Sequence, residues 1–218
     1  MKSTGEYLLS REIASMLLQI KAIKLSPGNP FTWASGMKSP IYCDNRIILS
    51  HPEVRSFVTN AFIQISKEFL PFDVIAGVAT SGIAFGALLA HDLNMPMVYV
   101  RSSAKQHGRQ NLIEGEIKAG SKVLIIEDLI STGQSSLHAF DAIQSTGNEV
   151  KAVLSIFNYG FQIAEENFNN KKCKFSSITN FQTLINEAIE QNYITEMELT
   201  LLMDWMKDPQ NWYNKHFE

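Results

Sequence analysis

Apolar residues near the start of the chain recur at helical spacing. Leu8, Leu9, Ile13, Met16, Leu17 and Ile20 lay one apolar stripe along residues 6–20. The cluster Ser26-Pro27-Gly28-Asn29-Pro30 ends that helix. Two short β-like runs, residues 31–36 and 41–44, lie on either side of a Gly/Ser/Pro turn, and together they predict a hairpin. Its aromatic residues, Phe31, Trp33 and Tyr42, suit either packing across the hairpin or one wall of a pocket for a flat ligand. Ser50 fits an N-cap, with Glu53 completing a capping box, for a helix running to about residue 70, where Pro71 stops it. His51 reads as a helix-start residue.

From Asp73 the pattern becomes strand, helix, strand. Residues 74–79 and 97–100 are apolar runs, and residues 83–94 between them are small and apolar at helical spacing. Val123-Leu124-Ile125-Ile126 is a β-branched run of the kind buried on both faces of a parallel sheet. A helix carrying Leu137, Phe140 and Ile143 comes next and ends at Gly147. Residues 150–157 form a further strand, 161–168 a helix, and 174–179 a last strand whose Ser176 and Ser177 suggest an edge position. Helices are predicted over 180–191 and 195–207, the second opened by a Thr195/Glu198 capping box and closed at Asp208-Pro209. Trp205 and Trp212 read as packing residues. Strands alternating with helices give an α/β fold with a mostly parallel sheet and right-handed crossovers. Ligands then sit at the carboxyl ends of the strands.

Three loops meet that condition. The first is Thr80-Ser81-Gly82, small and polar. The second, residues 101–111, is long and carries Arg101, Lys105, His107 and Arg109, with Glu114 and Glu116 beyond it. Clustered cations of this kind suit a pyrophosphate, and Gly108 could serve as part of a hinge. The third lies after the strand at 123–126: Glu127 and Asp128, then Leu129-Ile130, then Ser131-Thr132-Gly133-Gln134-Ser135 at the start of a helix. Hydroxyls and unpaired N–H groups at a helix start suit a phosphate monoester. Carboxylates beside a phosphate would repel it, so Glu127 and Asp128 are better matched to vicinal ribose hydroxyls or a divalent metal. A ribose 5-phosphate satisfies both ends. An ordinary β-α junction with hydroxyl caps is the plainer alternative.

Bulk properties narrow the classes. A chain of 218 residues fits one α/β domain, and a hydrophobic content of 45% is normal for a globular core. A net charge of −3 argues against nucleic-acid binding by bulk electrostatics. Cys43 and Cys173 match no zinc or redox spacing and read as reduced thiols of a cytoplasmic protein. No apolar run approaches the ~20 residues that span a bilayer, and the first residues lack a signal pattern.

The run 123–136 resembles the phosphoribosyl pyrophosphate (PRPP) motif of type I phosphoribosyltransferases. With F-T-W-A-S-G-x-x-S-P-I-Y-C-D-N-R at 31–46 and Y-V-R-S-x-x-K-x-H-G at 99–108, the chain resembles the orotate phosphoribosyltransferase family, in its Bacillus-like branch. The 31–46 piece separates that family from its purine relatives. The resemblance implies a single phosphoribosyltransferase domain over 1–218. Within it lie a small N-terminal hood including the β-hairpin (about 1–50), a PRPP-binding core (about 73–180) with its central sheet flanked by helices, and C-terminal helices (181–218). It implies transfer of phosphoribose from PRPP to orotate in pyrimidine biosynthesis, with Mg²⁺ required and bound mainly through PRPP, Asp128 being a candidate ligand. It also implies a homodimer in which the cationic loop reaches the neighbouring site, with neither nucleic acid nor membrane as partner.

By the same resemblance Arg101, Lys105 and His107 hold pyrophosphate and, with Asp128, form the catalytic set. Glu127 and Asp128 contact the ribose. Leu129, Ile130 and Ser131 to Ser135 surround the 5′-phosphate, and Thr80-Ser81-Gly82 is the pyrophosphate loop. Ser131, Arg46 and Tyr42 are expected to meet orotate. Three positions depart from many relatives: Ala34 stands where they have Lys, Ser102 where they have a second basic residue, and Asn158 lies at a strand end where some carry an Arg used on orotate. Arg46 is therefore expected to take the orotate carboxylate. A purine phosphoribosyltransferase, a non-catalytic PRPP-sensing regulator and a generic nucleotide-binding module remain as alternatives.

Overall fold

The computed structural model describes residues 4–33, 35–103 and 112–218. In chain order it contains α1 (Thr4–Gln19), β1 (Ile23–Leu25), β2 (Phe31–Thr32), β3 (Lys38–Ser39) and β4 (Ile41–Cys43). Then come α2 (Pro52–Ser66), β5 (Val74–Val78), α3 (Ser81–Asp92), β6 (Met97–Val100) and β7 (Ile113–Glu114). β8 (Lys122–Ile130), α4 (Gln134–Gln144), β9 (Glu149–Asn158), α5 (Gln162–Asn170) and β10 (Phe175–Asn180) come next, and α6 (Phe181–Glu190), α7 (Glu196–Lys207) and α8 (Trp212–Phe217) close the chain. Two compact units result: Met1–His51 with Gln182–Glu218, and Pro52–Phe181.

In the first unit the predicted hairpin exists, with a different second strand. β2 pairs antiparallel with β3, Phe31 opposite Ser39, whereas β4 pairs with β1, Ile23 opposite Cys43. Pro40 separates β3 from β4; it has no N–H to continue a ladder, and its carbonyl instead accepts from Ser26 N at 2.8 Å. The three-residue β1 carries no period long enough to show in the sequence. Arg11 of α1 forms ion pairs with Glu187 and Glu190 near the end of α6. Thr195 and Glu198 form the expected capping box at the start of α7. Trp205 and Trp212 are buried, as read, and the Trp212 indole donates to Leu201 O at 2.9 Å.

Residues 45–50 form a 3-10 helix capped by Asp44, which accepts from Arg46 N. This displaces the expected Ser50 cap. Ser50 ends the 3-10 turn and α2 begins at Pro52, whose fixed φ and missing N–H suit the first helical position.

The second unit is built on a six-stranded sheet of order β10-β9-β8-β5-β6-β7, parallel throughout except for β7. The central strand β5 is buried along its whole length, as expected for a parallel strand covered on both faces. On one face Val74, Ala76, Val78, Val98, Val100, Val123 and Ile125 meet Leu137, Phe140 and Ile143 of α4 and Phe168 of α5 in one core. β10 takes the expected edge. β8 is longer than its apolar run, because it stays paired with β9 as far as Ile130 opposite Asn158. Glu127 and Asp128 therefore lie within the strand and not beyond it.

Candidate active site

The carboxyl ends of β5, β6 and β8 carry the three predicted loops. At β5 the chain turns through Thr80 into α3, across an Ala79–Thr80 peptide that is cis. Gly82 makes the turn fit. A Cβ there would stand 2.4 Å from the Ile126 carbonyl oxygen and 3.3 Å from Glu127 Cα. The start of α3 thus lies directly against β8 beside the two carboxylates.

At β8 the turn 131–133 leads into α4. Gly133 is the N-cap at φ +79°, and a Cβ on it would meet the Phe168 ring at 2.6 Å. Neither α3 nor α4 has a side-chain cap at its start, unlike α7. Among the described residues the hydroxyls of Thr80, Ser81, Ser131, Thr132 and Ser135 make no hydrogen bond. Helix-start N–H groups lack the regular helical partner; at α3 Ile83 N donates to Thr80 O at 3.3 Å, leaving those of Ser81 and Gly82. Two helix starts and five hydroxyls are thereby left for a ligand rich in acceptors, and phosphate groups are such ligands.

At β6 the long loop has a base that the sequence did not reveal. Arg101 N donates to Leu112 O at 2.9 Å, and β7 pairs antiparallel with β6, Val100 opposite Ile113. Arg101 is half-buried and pairs with Glu114 at 3.3 Å. Two-residue β7 offers no alternation to detect. Lys105 and His107 lie outside the described residues. A cavity of about 210 Å³ lies between these strand ends, lined by Val78 and Ala79 just before the first loop, Arg101 and Ser102 of the second, and Gln134, Ser135 and His138 of α4.

The two acids differ. Glu127 is 6% exposed and Asp128 half-buried. Burial holds the Glu127 carboxyl well above the usual range, and the adjacent Asp128 carboxyl pushes it further. Its oxygens take hydrogen bonds from Asp128 N at 3.1 Å and from Ser136 Oγ at 3.4 Å.

Residues 44–190 match the phosphoribosyl transferase domain. The orotate phosphoribosyltransferase of Bacteroides thetaiotaomicron is 52% identical over 205 residues, which are 94% of this chain and 97% of that protein. The chain belongs to the orotate phosphoribosyltransferase family. A second such relative, from Listeria monocytogenes, is 46% identical over 94% of this chain and 98% of its own length. The solved orotate phosphoribosyltransferase of Aeropyrum pernix superposes with a TM-score of 0.73 at 25% identity, over 84% of this chain and 99% of that one. The type I phosphoribosyltransferase fold expected from the sequence is the fold observed.

The residues expected at the orotate end of this family member already have neighbours within the chain. Arg46 is an exposed side chain whose fork grips Asp44, Nε to Oδ1 at 2.7 Å and Nη2 to Oδ2 at 2.9 Å, holding that carboxyl below its usual range. Tyr42 is 38% exposed, its ring 5.7 Å from that of Phe31. Trp33 packs edge-on against Trp205 at 5.9 Å and donates to Ile41 O, so it is a packing residue. Asn158, at the end of β9, accepts from Gly160 N at 2.8 Å. Burial pushes the Cys173 thiol up to about 12, which removes it as a nucleophile.

The sequence assigns no role to Ser136, the last residue of the run 123–136, or to His138. Both carried a signal. Once α4 is known to start at Gln134, helical spacing sets His138 one turn later on the same side. Ser136 reaches back to Glu127 from the first turn.

Proposed function

We propose that this chain transfers the 5-phosphoribosyl group of PRPP to orotate, giving orotidine 5′-monophosphate and pyrophosphate in pyrimidine biosynthesis. The observation that carries this reading is the set of unused donors at two uncapped helix starts flanking Glu127 and Asp128. In the reaction the orotate ring nitrogen bonds to the anomeric carbon as that carbon's bond to the pyrophosphate oxygen breaks, the electron pair leaves with pyrophosphate, and the proton of the ring N–H is given up to the departing pyrophosphate. The transition state is oxocarbenium-like, as in glycosyl transfer generally. No covalent catalyst is needed, so the protein supplies positioning and neutralises the leaving group.

Ser131 to Ser135, with Leu129 and Ile130 leading in, hold the 5′-phosphate. Glu127 and Asp128 take the ribose hydroxyls. Thr80-Ser81-Gly82, Arg101, Lys105 and His107 take pyrophosphate. Ser131, Tyr42 and Arg46 meet orotate, Arg46 exchanging Asp44 for the substrate carboxylate. Members of this family generally use Mg²⁺ with PRPP. Among the described residues no three His, Cys, Asp or Glu side chains cluster to hold a metal. Mg²⁺ typically binds through one or two carboxylates plus substrate phosphates. Asp128 is the protein ligand in this reading, and the ion would neutralise the leaving diphosphate. The chain acts as a single-domain cytoplasmic enzyme and a homodimer sharing the cationic loop. A solution mass of twice 24.5 kDa is expected. No described helix is long and apolar enough to cross a membrane.

Orotate consumption monitored by absorbance with PRPP and Mg²⁺ tests the reading, with adenine, hypoxanthine and uracil as controls. Orotate alone is expected to turn over; consumption of a purine in its place would refute the assignment. In the same assay Arg46→Ala is expected to raise the orotate KM about tenfold, the value of one charge-assisted hydrogen bond, and to leave the PRPP KM unchanged. An unchanged orotate KM would remove Arg46 from the site.

A further inference from the structure

The turn at residues 131–133 has one local tie, Leu137 N donating to Gly133 O at 2.9 Å, which leaves the Thr132 carbonyl unfixed. Its hydroxyls make no bonds among the described residues, and Gly133 adds no side chain. Its shape is imposed from α5, 35 residues further along. Asn167 Nδ2 donates to the Thr132 carbonyl at 2.9 Å. The next residue, Phe168, is fully buried and stacked on Phe175 with ring centres 4.2 Å apart. Its ring edge occupies the space beside Gly133 where a Cβ would lie. Two successive residues of α5 thus hold one peptide unit, Thr132–Gly133, by a hydrogen bond and by contact.

That peptide unit matters because the C=O and N–H of a trans peptide point in opposite directions. With the Thr132 carbonyl drawn toward α5, the Gly133 N–H points away from α5. It makes no hydrogen bond among the described residues. We propose that Asn167 is a positioning residue for the phosphate site: by holding the Thr132 carbonyl it keeps the Gly133 N–H aimed at the 5′-phosphate of PRPP. Without this tie the peptide keeps only the Phe168 contact and the Leu137 N to Gly133 O bond of α4 at 2.9 Å, neither of which engages the Thr132 carbonyl, and its rotation would present a carbonyl oxygen to the anion. The inference rests on the reading of residues 131–135 as the 5′-phosphate site and adds to it a residue on another helix.

The test separates two ligands that meet different parts of the site. Ribose 5-phosphate engages the turn; Mg²⁺-pyrophosphate engages the loops at residues 80–82 and 101–107. Both are titrated calorimetrically into the wild type, Asn167→Ala and Asn167→Asp. Asn167→Asp keeps the shape of the side chain and replaces its donor with an acceptor. Both variants are expected to bind ribose 5-phosphate at least about fivefold more weakly, the scale of one hydrogen bond. Pyrophosphate binding should stay within about twofold of wild type, which also shows that the variants are folded. The PRPP KM should rise by the ribose 5-phosphate factor while kcat changes less.

Unaltered ribose 5-phosphate binding in Asn167→Ala would overturn the inference. So would equal weakening of both ligands, the mark of a merely structural role. A wild type that binds pyrophosphate and no ribose 5-phosphate would instead refute the phosphate reading of the turn, and the inference with it.

Discussion

Gly82→Ala should lower kcat/KM for PRPP at least about 100-fold, equivalent to about 2.7 kcal/mol of transition-state stabilisation, and should lower the melting temperature as well. The added methyl would stand 2.4 Å from the Ile126 carbonyl oxygen, well inside van der Waals contact. Overpacking typically costs about 1–3 kcal/mol where side chains can give way. Here the obstacle is the backbone of a strand paired with neighbours on both edges, so it cannot give way cheaply. Relief has to come from α3 moving off β8. The helix start is seated as closely on β5, since a Cβ at Gly77 would meet Ile83 Cα at 2.8 Å and Gly82 O at 2.9 Å. A shift of the helix start carries Thr80 and Ser81 away from Glu127 and Asp128, and a misplacement of about 1 Å can cost on the order of 100-fold in rate. Gly28→Ala is the control, because a Cβ at Gly28 has nothing within 4 Å. Wild-type kcat/KM and melting temperature in Gly82→Ala would show that the contact between the α3 start and β8 is not needed.

Gly82 is visible in the sequence as a small residue in a polar turn; its seat against β8 is not. Long apolar runs and helical stripes located β5, β8, β9 and the helices around them, because burial repeats along an element and leaves a period. The pieces that escaped are short or set by distant partners. β1 and β7 are three and two residues long, below any detectable alternation, and each exists because a neighbouring strand offers it a ladder. Ser50 and Glu53 had the spacing of a capping box, but Pro52 sets the helix start. The chemistry was legible as residue types at strand ends: Thr80, Arg101, Glu127, Asp128 and Ser131 to Ser135 do lie at the carboxyl edge, with Arg101 and Ser135 on one cavity. Less legible was the partner that each polar group already touches. Arg46 reads as a lone cation in the sequence and is gripped by Asp44 in the structure. Asn167 reads as one more helical Asn, and only the fold brings it to Thr132.

The second large effect concerns the unequal acids. Glu127→Gln should raise the melting temperature of the ligand-free protein at pH 7–8 while raising the PRPP KM at least about tenfold, the cost of about one lost hydrogen bond to a charged acceptor. Burial and Asp128 hold the Glu127 carboxyl well above its usual range in the folded chain, whereas in the unfolded chain it ionises near about 4.3. Between those two values the folded state binds the extra proton, so stability falls as pH rises. The contribution of Glu127 is whole below the ordinary carboxylate range, declines as pH rises toward its folded value, and changes no further above it. An amide of the same shape never ionises. With its oxygen placed to accept from Asp128 N, where the carboxylate accepts at 3.1 Å, its NH2 faces the Ser136 hydroxyl, which can accept, and the repulsion with Asp128 is removed. The gap in melting temperature between variant and wild type should therefore be small near pH 4.5 and widen toward pH 8, by about 2–4 °C for each kcal/mol in a chain of this size. A gap that stays flat with pH, or a variant that melts below wild type at pH 8, would mean that Glu127 is already stabilised as an anion in the resting protein. The expected trade is a more stable chain that binds PRPP less well, because in the proposed reading the carboxylate that burial disfavours is the one that takes the ribose.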